Sequence, residues 1–297
     1  MKTQDALSPK RVLITGASGQ VGSEFKLLWQ DDANFEIIFA DRTAIPLDKP
    51  ELVYQQVLHL QPDYIIHAAA YTMVDKAEEE TELVDRINHR ASLEFAKAAR
   101  ELHAKMIFIS TDYVFPGDIN EPLKEDQPTD PINAYGRSKQ QAEIAILKTL
   151  AESIIIRTSW VYSRFGKNFV KTMLQLMENR DEIQVVNDQF GSPTYAKDLA
   201  EAIQQIVKSG NWTPGIYHYS NEGKTTWCGF AEKIKEFAGL SCRINPVDSN
   251  AFPTLAKRPS YSLLSKEKIK ETFGIQIPKW EDSLRNMLQE MQETHNN

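Results

Sequence analysis

Two side chains that can handle protons stand four residues apart in the stretch Ala134-Tyr135-Gly136-Arg137-Ser138-Lys139. It follows the broken, proline-rich run from Glu121 to Pro131, and residues Gln140 to Leu150 then carry a helical pattern. On a helix, positions i and i+4 lie one turn apart on one face, so Tyr135 and Lys139 are expected side by side. A phenol hands over a proton more readily when a neighbouring ammonium lowers its pKa. Carbonyl reduction needs this, because hydride arrives at carbon and a proton must reach oxygen. A second candidate is Ser110-Thr111-Asp112, which closes an apolar run. The Thr111 hydroxyl can polarise a carbonyl and share the proton path with Tyr135, while Lys139 can hold a ribose. Tyr-x-x-x-Lys also occurs by chance as an exposed pair, so the elements that would position it decide its meaning.

Those elements alternate regularly. Strands are expected at Arg11–Thr15, Glu36–Ala40, Tyr64–His67, Lys105–Ser110 and Ser153–Arg157, each β-branched or apolar. Helices are expected at Val21–Trp29, Glu51–Leu60 and Val84–His103, between the strands. This β-α-β order predicts an α/β fold with a doubly wound parallel sheet of Rossmann type, whose ligands lie beyond the carboxyl ends of the strands. Past residue 160 the pattern loosens. Helices are expected at Asn168–Asn179, Asp198–Val207, Trp227–Ala238, Ser265–Phe273 and Trp280–Glu293, with strands at Ile183–Val186 and Gly215–Tyr219. The expected division is a dinucleotide-binding domain, 1–165 plus about 187–210, and a smaller mixed α/β substrate-binding domain, about 166–186 plus 211–297.

The first strand runs into Gly16-Ala17-Ser18-Gly19-Gln20-Val21-Gly22. Glycines between a strand and a helix let the backbone approach a pyrophosphate, and the helix N-terminus offers free N–H groups. The spacing is G-x-x-G-x-x-G. Asp41 ends the second strand and suits the ribose hydroxyls of NAD, whereas Arg42 beside it suits the 2′-phosphate of NADP. Either NADH or NADPH is therefore expected. Ala68-Ala69-Ala70 ends the third strand, where small side chains leave room for a cofactor.

The chain has 297 residues, 41% hydrophobic and 25% charged, ample for a packed core. Its net charge of −7 argues against nucleic acid as a partner. No run of about 18 apolar residues predicts a membrane span. The polar stretch Met1–Lys10 lacks the apolar centre of a signal peptide. Cys228 and Cys242 have no metal spacing, so they read as ordinary thiols and the chain as cytoplasmic.

The glycine loop, Thr111 and Tyr135-x-x-x-Lys139 resemble the extended short-chain dehydrogenase/reductases. Four segments resemble, more narrowly, the dTDP-4-dehydrorhamnose reductase family: Ala68 to Glu78, Ser110 to Gly117, Arg157 to Tyr162 and Asn187 to Thr194. Arg258-Pro259 also fits, and the likeness runs from about residue 11 to 290. The resemblance implies reduction of a 4-keto nucleotide sugar by NAD(P)H, with Tyr135 as proton donor, Thr111 assisting and Lys139 on the cofactor. By the same resemblance the cofactor contacts include Gly16, Gly19, Gln20, Val21, Gly22, Asp41, Arg42, Asp48, Ala69, Ala70, Tyr71 and Thr72. Thr111, Asp112, Trp160, Asn168 and Arg258 become the contacts to the sugar nucleotide. Some family members are described as Mg2+-linked dimers, which leaves room for a homodimer here. Glu24 and Glu290 match two of the glutamates involved, but Lys208 to Gly215 offers no third. No metal site is assigned, and both acids read as solvated surface charges.

Two other classes share these features. Nucleotide-sugar dehydratases and epimerases carry the Tyr-Lys pair, but resembling dehydratases place Asp-Glu after the threonine where this chain has Asp112-Tyr113. A regulatory subunit of methionine adenosyltransferase uses a similar fold as a binding module, and intact Thr111, Tyr135 and Lys139 favour an enzyme over it.

Overall fold

In the computed structural model, which describes residues 8–29 and 32–295, the first apolar run is strand β1 (Lys10–Thr15). Residues 1–7 of the polar N-terminal stretch lie outside the described residues. Helix α1 (Gln20–Leu28), β2 (Phe35–Ala40), α2 (Pro50–Leu60) and β3 (Tyr64–His67) follow in the expected alternation. Next come α3 (Ala91–Leu102), β4 (Lys105–Thr111), α4 (Ala134–Thr149) and β5 (Ile154–Thr158). Beyond them lie α5 (Phe169–Asn179), β6 (Glu182–Val186), α6 (Ala196–Ser209), β7 (Gly215–Tyr219), α7 (Trp227–Ala238), β8 (Arg243–Val247), α8 (Glu267–Phe273) and α9 (Trp280–His295).

Six strands form one parallel sheet in the order β7-β5-β4-β3-β1-β2. The order reverses between β1 and β3, which opens a crevice at their carboxyl ends. Successive residues of a strand face opposite sides, and each side has its own core. Val12, Ile14, Ile66 and Ile156 pack with Phe25 of α1 and Leu199, Ile203 and Ile206 of α6. Leu13, Ile65, Phe108 and Ile155 pack with Val53 and Val57 of α2, Phe95 of α3 and Ile146 of α4. Each such aliphatic or aromatic side chain contributes roughly 1.5–3 kcal/mol by leaving water.

One strand departs from the expected division. From sequence, residues 211–297 belong to the smaller unit, yet β7 pairs with β5 along its whole length and forms the sheet's edge. Its Tyr217 and Tyr219 join the same core as Ile269 and Phe273 of α8. The physical reason is that β5 would otherwise be an open edge, and a short apolar segment from any point in the chain can cover it.

The remaining C-terminal elements build a separate core. Strands β6 and β8 pair in parallel, and Met173 and Met177 of α5, Phe230 and Ile234 of α7, and Leu284 and Met287 of α9 pack around them.

The helix expected at Val84–His103 also differs. A helical turn begins at Thr81, the chain widens into a π turn at Asp85–Arg90, and α3 starts only at Ala91.

Candidate active site

Helix α4, which carries Tyr135 and Lys139, is held at its first turn. Asn133 is its N-cap and accepts a hydrogen bond from the Gly136 N–H at 2.7 Å. Glu78 accepts from the Ala134 N–H at 2.6 Å, so two side chains take up the free donors of that end. Gly136 has to be glycine, because a Cβ there would lie 2.1 Å from the Tyr113 carbonyl oxygen. The close approach sets Tyr135 against the end of β4. Tyr113 and Tyr135 meet edge to face with ring centroids 6.0 Å apart.

Tyr135 and Lys139 both lie in α4, as expected, but Lys139 does not act on the phenol in the expected way. Its Nζ donates to the Ile109 carbonyl at 2.7 Å and lies 3.8 Å from the centre of the Phe108 ring. One turn along the helix carries the ammonium down onto β4. Burial pulls the Lys139 pKa down to about 7, against the carboxylate of Glu143 one turn further on. Burial likewise pushes Tyr135 up to about 12, and the hydrogen bond with Thr111 is what opposes it.

Thr111 ends β4 and receives a hydrogen bond from the Tyr113 N–H at 3.2 Å. Its hydroxyl donates to Asp112 Oδ1 at 3.1 Å. Asp112, expected among the sugar contacts, is only 2% exposed. Thr111 beside it is likewise buried, at 5% exposed.

The glycine loop has the shape of a phosphate cradle. Gly16 has φ +74°, and a Cβ there would meet the backbone of Ala69 at 3.0 Å, so the loop and the alanine run lie in direct contact. A Cβ on Gly22 would lie 2.1 Å from the Gly16 oxygen. Gly19 is the N-cap of α1 with no capping side chain, and the first turn holds no acid. Those N–H groups and the helix dipole fit an anion. Asp41 and Arg42 are exposed just past the end of β2. The Asp41 carboxylate accepts from the Ala44 and Thr43 N–H groups, which hold its pKa below the ordinary range. Asp48 and Thr72 are also exposed, and Val21, Ala69 and Ala70 half-buried. These residues fit a dinucleotide laid across the crevice.

Three supporting residues escape sequence reading. Asn88 in the π turn accepts from the Tyr71 N–H at 2.7 Å and donates to the Tyr71 oxygen and to Ser138 of α4. It ties the expected cofactor loop to the catalytic helix, and the π turn is what aims it. Asn133 and Glu78 are the other two. An Asn directly before a helical pattern is a capping signal, but the Glu78 contact spans 56 residues.

The expected sugar-nucleotide residues are spread more widely. Trp160 has φ +48°, unusual for a bulky residue, and stacks on Trp227 with ring centroids 3.7 Å apart. A Cβ on Gly191 would lie 2.8 Å from its ring. One indole face is thus covered by protein. Asn168 caps α5, accepting from the Lys171 N–H, and donates to Gln20 at 3.0 Å and to the Ser163 oxygen at 2.6 Å. Its polar atoms are committed to joining the glycine loop to the C-terminal lobe. Arg258 forks onto Asp75, with contacts of 2.6 and 3.2 Å. It also lines a cavity of about 700 Å³ bounded by Phe169, Met173, Val185 and Trp227. Thr111, Tyr135 and Lys139 do not line this cavity.

Glu24 and Glu290 are not surface acids. Glu24 is 1% exposed and accepts from Ser163 Oγ at 2.6 Å, and burial raises its pKa. Glu290 accepts from Tyr195 at 2.9 Å and Lys197 at 2.7 Å, with Arg164 at 3.6 Å. A carboxylate already neutralised by an ammonium and a guanidinium is a poor ligand for Mg2+. These residues do not fit a metal.

Residues 10–293 match the family described as the RmlD substrate binding domain. The spore coat polysaccharide biosynthesis protein SpsK of Bacillus subtilis is 42% identical over 94% of this chain and 97% of its own. The dTDP-4-dehydrorhamnose reductase of Escherichia coli K12 is 39% identical over 94% of this chain and 97% of its own. The solved structure of dTDP-4-dehydrorhamnose reductase from Bacillus anthracis, in complex with NADP, superposes with a TM-score of 0.91 at 38% identity, covering 95% of this chain and 99% of that one.

Proposed function

The chain belongs to the RmlD substrate-binding-domain family, and from that premise we propose that it reduces the 4-keto group of dTDP-4-dehydro-L-rhamnose to give dTDP-L-rhamnose, the last step of dTDP-rhamnose synthesis. It is an NAD(P)H-dependent oxidoreductase. The observation that carries this reading is the seating of Tyr135 against Tyr113 at the end of β4, where Thr111 stands, beside a glycine loop shaped for a dinucleotide.

When bound, the reduced nicotinamide supplies hydride to C4 of the sugar. The chain's residues do the rest. Gly16, Gly19, Gln20, Val21 and Gly22 would offer backbone N–H groups to the pyrophosphate, and Asp41, Arg42 and Asp48 would hold the adenosine end. Ala69, Ala70, Tyr71 and Thr72 would hold the nicotinamide half. Thr111 and Tyr135 grip the 4-keto oxygen. Tyr135, with its pKa pushed to about 12, is the neutral phenol at ordinary pH and so holds a proton to give. Lys139, which donates to the Ile109 carbonyl at 2.7 Å, would hold the nicotinamide ribose when the cofactor is bound. Arg258 and Trp160 stand on the side of the nucleotide. The two buried, unpaired cysteines agree with work in a reducing cytoplasm.

The test is direct assay with dTDP-4-dehydro-L-rhamnose and each reduced cofactor in turn. One NADH or NADPH oxidised per sugar reduced is expected. No oxidation with either overturns the reading, and conversion without net cofactor oxidation would mark an epimerase.

A further inference from the structure

We propose, on the reductase reading above, that Asn133 is a positioning residue whose amide couples the wall of the cavity beside Arg258 to the helix carrying Tyr135. Asn133 is 0% exposed. Its Oδ1 accepts from the Gly136 N–H at 2.7 Å, and its Nδ2 donates to the Lys257 carbonyl at 2.9 Å. The two partners fix the orientation of the amide, because the reverse would set donor against donor and oxygen against oxygen. A helix cap needs only an acceptor, and Asp or Ser serves about as well. The donor is what asparagine adds, and it is directed at a carbonyl 124 residues away.

That carbonyl belongs to a segment without strand or helix, residues 252–260. Ala256, Lys257, Arg258 and Ser260 line the cavity of about 700 Å³, together with Phe169 and Trp227 of the C-terminal lobe. The segment is held to that lobe by backbone pairing of Ser260 and Ser262 with Phe190, each contact 2.8 Å. On the other side it meets the sheet domain at three places. The Ala256 N–H and the Arg258 guanidinium reach Asp75 at 3.2 and 2.6 Å, just past the run Ala68–Thr72. Ser260 Oγ donates to the Gly117 oxygen at 2.8 Å, and a Cβ on Gly117 would lie 2.4 Å from that of Pro259. The third place is Asn133, and of the three it acts on α4, whose second residue is Tyr135.

Moving the Lys257 carbonyl away would leave a buried amide donor unpaired, so the wall and the first turn of α4 shift together or not at all. A nucleotide seated against the wall holds residues 256–258, and Asn133 carries that restraint to Tyr135. Binding remote from the reacting carbon thereby helps to align the proton donor.

The test is hydrogen exchange read by mass spectrometry on the NAD(P)H-bound chain, with and without dTDP as the probe. In the wild type, dTDP should slow exchange on the order of fivefold both in residues 252–260 and in residues 134–138. Asn133→Ser keeps an acceptor for the Gly136 N–H and removes Nδ2. Without dTDP its exchange at 134–138 should match the wild type. With dTDP the protection should persist at 252–260 and vanish at 134–138. Its kcat should fall on the order of tenfold, with KM for NAD(P)H unchanged. Protection of 252–260 alone in the wild type overturns the proposal, and this arm needs no variant. Protection of 134–138 that survives in Asn133→Ser also overturns it. So does faster exchange there without dTDP, which would mark capping as the whole role of Asn133. Protection of neither segment overturns it together with the placing of the nucleotide at this wall. Turnover of dTDP-4-dehydro-L-rhamnose tests the reductase reading separately.

Discussion

At the scale of single residues, burial sets the protonation states of the proposed site. Tyr135 is held as a phenol and Asp112 toward the neutral acid, while Lys139 loses much of its preference for the ammonium. Tyr135→Phe removes the phenol hydroxyl, and with it the transferable proton and one hydrogen bond to the 4-keto oxygen. It should leave NAD(P)H affinity intact and lower kcat by roughly 10²–10⁴; a variant with wild-type turnover would remove Tyr135 from its role. Asp112 also predicts a pH-dependent stability. Its carboxyl has a folded pKa near 7 against 3.8 for the free group. Between those values the native chain holds a proton that the unfolded chain releases, so stability falls as pH rises through the window and stays lowered above it. Asp112→Asn lacks this loss. Its melting temperature should exceed that of the wild type at pH 8, by the equivalent of a few kcal/mol at most, and the gap should close as pH falls toward 4. A gap that is constant with pH contradicts the assignment. The types of these residues are readable from sequence, but their ionisation is not, because desolvation depends on what packs around them.

At the scale of elements, two glycines divide the labour of the site. Gly22 lets α1 start against the Gly16 carbonyl, and Gly136 lets α4 start against the Tyr113 carbonyl. Each would place a Cβ 2.1 Å from a backbone oxygen if replaced by alanine. The consequences should differ. Gly22→Ala displaces the phosphate loop, so the Kd for NAD(P)H should rise at least about tenfold. Gly136→Ala moves Tyr135 and should lower kcat by a factor on the order of 10², with cofactor affinity nearly unchanged. Fluorescence titration of NAD(P)H and steady-state kinetics on both variants check the split. The parallel strands are visible in sequence because buried strands are continuous β-branched runs. The π turn at Asp85–Arg90 is not, since its extra residue is stabilised by what Asn88 reaches in Tyr71 and Ser138.

At the scale of the whole molecule, the C-terminal half is joined to the sheet by buried polar contacts. Ser163 donates to Glu24 of α1, and Asn168 donates to Gln20 at the start of that helix. Under the strand ends, Arg157 of β5 forks onto Glu143 of α4, with a shortest contact of 2.7 Å and both side chains almost fully buried. Arg157→Met leaves the Glu143 charge unpaired and should cost roughly 3–5 kcal/mol in denaturant unfolding. Adding Glu143→Leu should recover most of that loss, and a double variant no better than the single would show that packing, not charge, sets the cost.

What the sequence determines by itself is the order of strands and helices, the glycine loop, and the presence of Thr111, Tyr135 and Lys139. These depend on local pattern and on residue identity. What only the tertiary structure decides is which partner each polar group meets. Lys139 meets the Ile109 carbonyl, Asp112 accepts from Thr111, Glu290 is paired with Lys197, and β7 returns to complete the sheet. Each of these contacts outside the active-site strand end spans tens of residues or more. They are set by the energy of filling an edge or satisfying a buried charge, which no local window of sequence contains.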